Sequence, residues 1–234
     1  MRYDDTTIVL PTYNEEKNIG ELVKSLSSAL PKVRILVVDD GSRDKTQQIV
    51  RGMAKKNSRV SYFNRSALHR PRGLTHSIVD GILMSKTENV IVMDADFQHP
   101  INKVPEIKKR LDRADELVVA VRVDVPGWEL HRRIISRSLI YVGYGILVAR
   151  GRTRSGDIFS GYFGVKRKFF DKIYQANKGR FVGEGYKVLF DLLKCLKDGS
   201  VRVGEVPYVF NVRKAGESKA SIKQGIALFK SFVN

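Results

Sequence analysis

The feature that most constrains the fold is a regular alternation of short β-branched runs with longer amphipathic segments. Predicted strands cover residues 7–10, 33–38, 60–63 and 90–93, and a predicted helix separates each strand from the next. The last run is apolar throughout, which is typical of a strand buried on both faces of a parallel sheet. This alternation predicts an α/β fold with a doubly wound, mainly parallel, Rossmann-like sheet flanked by helices.

The intervening helices are predicted from apolar residues that recur at helical spacing and from capping residues. They cover residues 15–30, 45–56 and 73–84. Asn14 is the expected N-cap of the first helix, and Ser42 or Asp44 is the expected N-cap of the second.

Two carboxylates, Asp94 and Asp96, directly follow the fourth predicted strand. Residues two apart at the end of a strand project to the same side of the chain, so these charges repel each other and are costly to desolvate. A cation between them removes both costs, and Mg²⁺ or Mn²⁺ prefers such oxygen ligands together with substrate phosphates. On its own an Asp-x-Asp pair is as often two solvated loop carboxylates.

Polar sequence at the other strand ends favours the metal hypothesis. Residues 11–15 follow the first strand, and residues 39–40 follow the second. Ligands of open α/β sheets bind beyond the carboxyl ends of the strands, so these segments are expected to converge on one crevice. The sequence contains neither a G-x-G-x-x-G turn after the first strand nor a G-x-x-x-x-G-K-[ST] loop, which disfavours a dinucleotide site and a P-loop.

The second half of the chain has a different pattern. A predicted strand at 117–121 ends in Arg122, and a helix is predicted at 129–149, where Gly143 and Gly145 should weaken or break it. The remaining predictions are a loop leading into a strand, a helix, an edge strand that contains Pro207, and a C-terminal amphipathic helix. They cover residues 157–165, 186–196, 201–212 and 222–233.

The composition indicates an anionic partner. Lysine and arginine total 42 against 25 acidic residues, a formal charge of +17, which suits phosphorylated substrates, nucleic acid or a membrane surface. A single cysteine, Cys195, excludes an intrachain disulfide. The chain opens on polar residues, and its most apolar long stretch, residues 139–149, is shorter than the roughly 20 residues of a membrane span. We therefore expect a cytoplasmic protein, at most peripheral on the cytoplasmic face of a membrane.

Several ordered motifs resemble a known enzyme family. TIVLPTYNE at 7–15, VVDDGS at 37–42 and VMDADFQHP at 92–100 resemble family 2 glycosyltransferases of the GT-A fold. GW at 127–128, RRIIS at 132–136, SGYF at 160–163, GEVP at 204–207, Arg213 and GESK at 216–219 narrow the resemblance to dolichyl-phosphate mannose synthases. The resemblance implies one GT-A domain over residues 1–234, with a nucleotide-sugar half at about 1–121 and an acceptor half at about 122–234.

The resemblance also implies an activity: inverting transfer of mannose from GDP-mannose to dolichyl or another polyprenyl phosphate, with Mg²⁺ or Mn²⁺. It assigns the nucleotide-sugar site to Pro11, Tyr13, Glu15, Val38, Asp40, Asp94, Ala95, Asp96, Gln98, Lys187, Arg213 and Lys219. Among these, the metal ligands would be Asp96 and Gln98, with Asp94 close by. Arg122 and Arg132 would bind the acceptor phosphate and, with Asp94 and Asp96, form the catalytic set.

The expected chemistry agrees with the charge of the chain. A phosphate acceptor is already an anion at neutral pH, so it needs no general base, unlike a hydroxyl acceptor. The difficulty is to bring two anionic substrates together, which requires positive charge. We therefore predict electrostatic stabilisation as the main catalytic contribution, with arginines gripping phosphates and no dedicated base.

Other interpretations stay open at this point. A polyprenyl-phosphate glucosyltransferase that uses UDP-glucose has the same architecture. A nucleic-acid-binding protein is suggested by the charge but disfavoured by the lack of an aromatic–basic platform, so no nucleic-acid partner is predicted. A non-catalytic nucleotide-sugar-binding scaffold is a third. Residue by residue, Arg132 fits a solvated helix face, Arg213 fits plain loop charge, and His99 fits a structural loop histidine better than a metal ligand.

Membrane association is a separate prediction. The segments at 134–149 and 222–233 carry apolar stripes that suit either a protein core or an anionic membrane surface. The implied polyprenyl substrate favours the membrane. A membrane anchor on another segment or on a separate subunit is also compatible with the sequence.

Overall fold

In the described part of the chain, seven strands form one sheet in the order β3-β2-β1-β4-β6-β5-β7. The computed structural model describes residues 3–69, 71–182, 187–215 and Phe232. The strands are β1 Thr6–Thr12, β2 Arg34–Asp39, β3 Val60–Asn64, β4 Asn89–Val92, β5 Leu117–Asp124, β6 Phe163–Lys166 and β7 Val203–Val209. The helices are α1 Ile19–Ala29, α2 Thr46–Lys56, α3 Leu74–Met84, α4 Val104–Asp112, α5 Leu130–Ala149, α6 Arg167–Ala176 and α7 Val188–Cys195. Short 3-10 helices cover Ser66–Leu68, Ile101–Lys103 and Lys178–Arg180.

The sheet is mainly parallel, as the sequence predicts. β1 lies between β2 and β4 and is parallel to both, and β3 continues the parallel order beyond β2. β6 is antiparallel to β4 and β5, whereas β7 runs parallel to β5 at the edge of the sheet. Pro207 lies within this edge strand, where the missing N–H of proline is tolerated.

Two apolar layers cover the faces of the sheet. In the central strands successive residues alternate between the layers: Ile8 and Leu10 face one layer, whereas Val9 faces the other. Apolar residues of α1, α2 and α4 complete the first layer, and those of α3, α5, α6 and α7 complete the second. Because both faces are covered, the central strands consist of nearly continuous apolar residues.

The first helix begins later than predicted. α1 starts at Ile19, not near Glu15, and Asn14 does not cap it. Instead Asn14 adopts φ +53°, and its side-chain oxygen accepts a hydrogen bond of 2.8 Å from the Arg43 amide. Asn14 therefore ties the loop after β1 to the loop after β2, and the intervening residues form a turn.

A second difference from the prediction concerns α5, which continues through Gly143 and Gly145 without a break. Gly143 packs against the layer that contains Ile158 and Phe159: a Cβ at this position would lie 2.7 Å from Ile158 Cδ1 and 3.0 Å from Phe159 Cζ. A Cβ on Gly145 would meet nothing within 4 Å. The predicted break does not occur, and close packing at Gly143 is consistent with a continuous helix despite the low helix propensity of glycine. The helices α4 and α6 were not predicted at all.

Two further points bear on the membrane predictions. None of the helices in the described ranges has both the length and the apolar character required to span a bilayer. The predicted C-terminal helix at 222–233 lies outside the described residues except for Phe232, whose ring approaches those of Phe159 and Phe190 at centroid distances of 6.1 and 5.5 Å.

The two glycines of α5 make a matched test of this packing. Gly145→Ala should stabilise the protein by up to about 1 kcal/mol, since alanine favours a helix. Gly143→Ala gains the same propensity but must push aside buried side chains, so it should be less stable than Gly145→Ala by about 1–3 kcal/mol. Urea denaturation of both variants measures the difference, and equal gains would contradict the packing of Gly143.

Candidate active site

The candidate site lies where the chain leaves β4. The Met93 amide still donates to Val9 O, at 3.2 Å, and so continues the strand ladder. The next amide, that of Asp94, has left the ladder and donates instead to His99 Nδ1, at 2.9 Å. The carboxylates of Asp94 and Asp96 therefore project from the carboxyl edge of the central strands, as predicted.

Arg213 connects two of the predicted metal ligands. Its Nη2 lies 2.8 Å from Asp96 Oδ2 and donates to Gln98 Oε1 at 3.4 Å. Asp96 Oδ1 accepts a 3.0 Å hydrogen bond from the Gln98 amide, which fixes the turn between them. Asp96 and Gln98 therefore direct acceptor oxygens toward one cation, here the guanidinium of Arg213.

Arg213 belongs to a segment that is fastened along this loop. The Asn211 amide donates to Gln98 O at 3.0 Å, and the Lys214 amide donates to Asp96 O at 3.4 Å. Further along, Asn18 Nδ2 donates to Ala215 O at 3.1 Å. These bonds hold residues 211–215 across the loop of residues 94–98, here called the acidic loop. The segment runs from β7 toward α1.

The electrostatics of Asp94 differ from those of an ordinary surface carboxylate. Its side chain is 34% exposed, yet the surrounding protein atoms desolvate it and raise its pKa to about 6. Positive charge on Lys187 and Arg213 partly offsets this burial. The pKa of Asp96 is also raised, first by burial and then by the charge of Asp94. Both carboxylates are thus destabilised as anions in the absence of a further cation.

Lys187 faces this acidic loop from the N-terminal side of α7. Its Nζ donates to Phe159 O at 3.2 Å and lies 5.2 Å from the centroid of the Phe159 ring. Burial, followed by the nearby charge of Arg122, lowers the pKa of Lys187 to about 7, while Asp157 and Asp94 act in the opposite direction. An anion bound here would restore the full positive charge of Lys187.

Arg122 is held by a partner that the sequence reasoning missed. Its Nε donates to Asp157 Oδ2 at 2.6 Å and its Nη2 donates to Asp157 Oδ1 at 2.8 Å, a bidentate pair in which Asp157 is buried. The guanidinium carbon lies 5.9 Å from the Trp128 ring centroid and 5.7 Å from that of Phe210. Asp157 lies in the loop before β6, and this position is the one sequence feature that could have identified it.

A cleft opens beside Arg122. Arg137, Ser136 and Ile140 of α5 line it together with Gly156 and the loop after β5. The predicted acceptor residue Arg132 lies in the first turn of α5, but its side chain is outside what the structure describes. Two α5 arginines that the sequence reasoning did not select, Arg133 and Arg137, line the cleft together with Arg122 on the described side chains.

Arg133, one turn before Arg137 in α5, has mainly a structural role. The Arg133 side chain donates to Trp128 O and Val125 O, each at 3.0 Å, and so holds the loop between β5 and α5 in place.

The residues predicted for the nucleotide side lie at the ends of β1, β2 and β4 or in the loops that follow these strands. Pro11 and Val38 are neighbours in register across β1 and β2, and both are buried. The Tyr13 ring lies 5.8 Å below the guanidinium of Arg72. The Glu15 amide donates to Thr46 Oγ1 at 2.8 Å, which joins this loop to α2. Ala95 is buried between the two aspartates.

Asp40 is bonded to residues of the loop before α3. Its carboxylate forms an ion pair with the buried Arg65 and accepts a 2.8 Å hydrogen bond from the Gly73 amide. Arg65 in turn donates to Asp80 and to Pro71 O. The carboxylate that was predicted beside the base and ribose therefore organises the loop before α3.

Lys219, which was predicted for the nucleotide-sugar site, lies outside the described residues. Within the described ranges, no cluster of three or more His, Cys, Asp or Glu side chains is arranged to hold a metal. The predicted metal set instead combines two carboxylates with the amide of Gln98.

Comparison with known proteins decides the family. The model of glycosyl transferase family 2 matches residues 7–174. The chain belongs to this family. It is 32% identical over 240 residues to the dolichol-phosphate mannosyltransferase of Mycosarcoma maydis, covering 96% of this chain and 75% of that protein. It is 31% identical to the enzyme of the same name from Saccharomyces cerevisiae, covering 93% and 81%. The predicted family membership is confirmed.

Solved structures agree on the fold. Glucosyl-3-phosphoglycerate synthase from Mycobacterium tuberculosis, crystallised with Mn²⁺, uridine diphosphate and glucosyl-3-phosphoglycerate, superposes with a TM-score of 0.63. The match covers 97% of this chain and 76% of that one, at 19% identity. The GT-A prediction is confirmed, while the ligands of that complex belong to that enzyme.

The raised pKa of Asp94 predicts a pH-dependent stability in metal-free protein. Between about pH 4 and pH 6 the folded state retains a proton that the unfolded chain has released, so stability falls as the pH rises through this window. Asp94→Asn removes the charge and should raise the thermal midpoint by a few degrees above pH 6, with no gain below about pH 4. Scanning calorimetry in chelator measures the profile.

Glu88→Gln is the matched control, because Glu88 pairs with Lys166 on the surface and its side chain is 65% exposed. This variant should change the midpoint by no more than about one degree at any pH. A gain from Asp94→Asn that is equal at pH 4 and pH 8 would contradict a titration of Asp94.

Proposed function

We propose that the protein transfers mannose from GDP-mannose to a polyprenyl phosphate such as dolichyl phosphate, with inversion at the anomeric carbon. The observation that carries this proposal is the meeting of two charge systems at the carboxyl edge of the sheet. The Asp94 carboxylate is influenced by Lys187, Arg213 and Arg122 together. An acidic loop for a metal–diphosphate donor thus adjoins cations suited to an anionic acceptor. The names of the relatives specify the mannosyl and polyprenyl chemistry.

A divalent metal, Mg²⁺ or Mn²⁺, fits the acidic loop. The guanidinium of Arg213 serves as a stand-in cation, because Asp96 and Gln98 both direct oxygens toward it. We infer that Asp96 and Gln98 hold the metal, with Asp94 beside them, and that Arg213 then turns to the donor phosphates. When bound, the metal neutralises charge on the departing nucleoside diphosphate.

The protein's own residues handle the acceptor. Asp157 keeps Arg122 charged and fixes its orientation, so Arg122 is prepared to bind the acceptor phosphate through the side that faces the cleft. Arg132 and Arg137 of α5 are proposed to complete this phosphate site. The acceptor phosphate attacks as an anion, so no residue is needed to remove a proton. Lys187, which gains charge when an anion approaches, stabilises the phosphates at the junction of the two sites.

The division of labour proposed from the sequence suits this geometry. Residues of about 1–121 supply the donor loops, and residues of about 122–234 supply Arg122, the α5 side of the cleft and the segment of Arg213. Glu15 in the turn before α1 and the buried Pro11 and Val38 fit the donor side. Asp40 is proposed to support this side indirectly, through Arg65 and Gly73.

The surface of α5 supports a peripheral membrane location. Large apolar side chains along α5 are exposed to solvent, which is unusual for a helix whose other side packs on a core. They include Leu130, Ile134, Ile135, Tyr141, Val142, Tyr144 and Val148. Arg133 and Arg137 lie on the same helix, where they suit anionic headgroups. We propose that α5 rests on the membrane that carries the lipid acceptor; the cytoplasmic face and a separate anchoring subunit stay predictions.

A thermal-shift titration tests the donor. GDP-mannose and GDP should raise the midpoint in the presence of Mg²⁺ or Mn²⁺, and UDP-glucose and UDP should not, since a ligand that binds only the folded state stabilises it. Asp96→Ala should abolish the metal-dependent part of the shift and reduce mannosyl transfer to dolichyl phosphate by about 10²-fold or more. Product formation is followed by chromatography of the extracted lipid.

The surface variant Glu88→Gln again serves as the control and should behave as the wild type. If only UDP-glucose and UDP raise the thermal midpoint, the protein is a glucosyltransferase that uses UDP-glucose and the mannosyl proposal is wrong. Full transfer by Asp96→Ala would refute the metal site.

Vesicle co-sedimentation tests the membrane surface. Ile135 and Tyr141 are 58% and 74% exposed, and burying each in lipid contributes about 1–2 kcal/mol. Ile135→Glu and Tyr141→Glu should therefore each weaken binding to phosphatidylserine-containing vesicles roughly tenfold or more. Met84→Glu, at an apolar position 44% exposed at the end of α3, should have a small effect. Equal losses from all three substitutions would indicate a general charge effect.

A further inference from the structure

The side chain of His99 holds the backbone of Asp94. Its Nδ1 accepts the Asp94 amide at 2.9 Å. An Nδ1 that accepts a hydrogen bond carries no proton, so the imidazole is neutral and its proton is on Nε2. Nε2 lies 3.6 Å from Asp94 Oδ2, so the N–H dipole lies near this carboxylate oxygen without a hydrogen bond of normal length.

The ring itself is held by an aromatic box. It stacks on Tyr162 at 4.9 Å between centroids with planes 15° apart, and it meets Tyr208 and Phe210 edge-on at 5.8 and 5.6 Å. The Tyr162 hydroxyl donates to Pro100 O at 3.0 Å, which fixes the residue that follows His99. With its side chain 2% exposed, His99 has little freedom to turn away from Asp94.

The backbone of Gly161 also lies close to the Asp94 carboxylate. A Cβ on Gly161 would lie 3.4 Å from Asp94 Oδ2, 3.5 Å from Asp94 Oδ1 and 3.5 Å from His99 Cε1. The loop before β6 thus passes close to both side chains. Asp94 therefore lies close to both the His99 ring and the Gly161 backbone at the point where the chain leaves the strand ladder.

We propose that His99 is a positioning residue for Asp94: its neutral imidazole fixes the Asp94 backbone through Nδ1 and presents the Nε2 proton toward the carboxylate, which preorganises Asp94 beside a divalent metal. This inference rests on the metal site of the proposed function. Groups that orient metal ligands typically contribute 10–100-fold to metal affinity, which sets the scale of the expected effect. His99 itself stays outside the set of metal ligands.

Two substitutions separate positioning from packing. His99→Phe keeps a ring in the aromatic box but loses the acceptor for the Asp94 amide. His99→Asn loses the ring but retains an oxygen that can take the place of Nδ1. A purely structural role therefore predicts that His99→Phe is the milder change in every measurement. A positioning role predicts that the two measurements rank the variants differently. His99→Phe should lose less stability than His99→Asn, and His99→Asn should lose less metal affinity than His99→Phe.

The affinity for Mn²⁺, measured by electron paramagnetic resonance with GDP present, is the deciding measurement. His99→Phe should raise the dissociation constant about tenfold or more, while His99→Asn should remain within a few-fold of the wild type. Urea denaturation should rank the stabilities in the reverse order. Wild-type Mn²⁺ affinity in His99→Phe, or a larger loss in His99→Asn, would overturn the proposal.

A control and a second readout distinguish the possible failures. Suppose that the wild type binds Mn²⁺ and that Asp94→Asn binds it weakly. Wild-type Mn²⁺ affinity in His99→Phe then overturns the role of His99 and leaves the metal site standing. If the wild type binds no Mn²⁺, the metal site fails and the inference fails with it. Nitrogen-15 NMR of the wild-type histidines does not depend on any variant folding. It should show His99 as the Nε2–H tautomer, and an Nδ1–H or doubly protonated ring would overturn the proposal.

Discussion

The candidate site depends on where the pairing of β4 with β1 ends. The Met93 amide is the last in this region to pair with β1, through Val9 O, and the Asp94 amide turns to His99. That change of partner converts a buried strand into an acidic loop within one residue. The strand below is rigid because both of its faces are covered by apolar layers. The carboxylates thus project from a fixed edge instead of from a free loop, which is the arrangement that a binding site requires.

The acidic loop also explains part of the large positive charge. Asp94 and Asp96 are each less stable as anions than surface carboxylates, since burial raises their pKa values. Cations converge on Asp94 from three separate elements, Arg122 at the end of β5, Lys187 before α7 and Arg213 after β7, and Arg213 also acts on Asp96. These cations compensate for the acidic loop and leave a net attraction for phosphorylated substrates. Stability and binding are therefore coupled, because an anion or a metal that enters the site relieves the cost of these buried charges.

Sequence reasoning succeeded where periodicity was strong and failed where distant contacts decide. The strands around Val9 and Val90 were predicted closely because residues that are buried on both faces leave an unbroken apolar run. The start of α1 was wrong because Asn14 binds the Arg43 amide across two loops instead of capping the helix. The pairing of Asp40 with the buried Arg65 spans 25 positions, and no local pattern reveals it. For the same reason Asp157 was missed.

The sequence by itself determined the α/β class, the placement of the paired carboxylates after a central strand and, through its ordered motifs, the family. These features are local: they depend on residues a few positions apart and on strand periodicity. Only the tertiary structure decided which charges meet. It brought Asp157 to Arg122, placed Arg213 between Asp96 and Gln98, and enclosed His99 among aromatic rings beneath Asp94. Each of these contacts joins segments far apart in the chain, and their geometry follows from the packing of the sheet and not from any pattern within one segment.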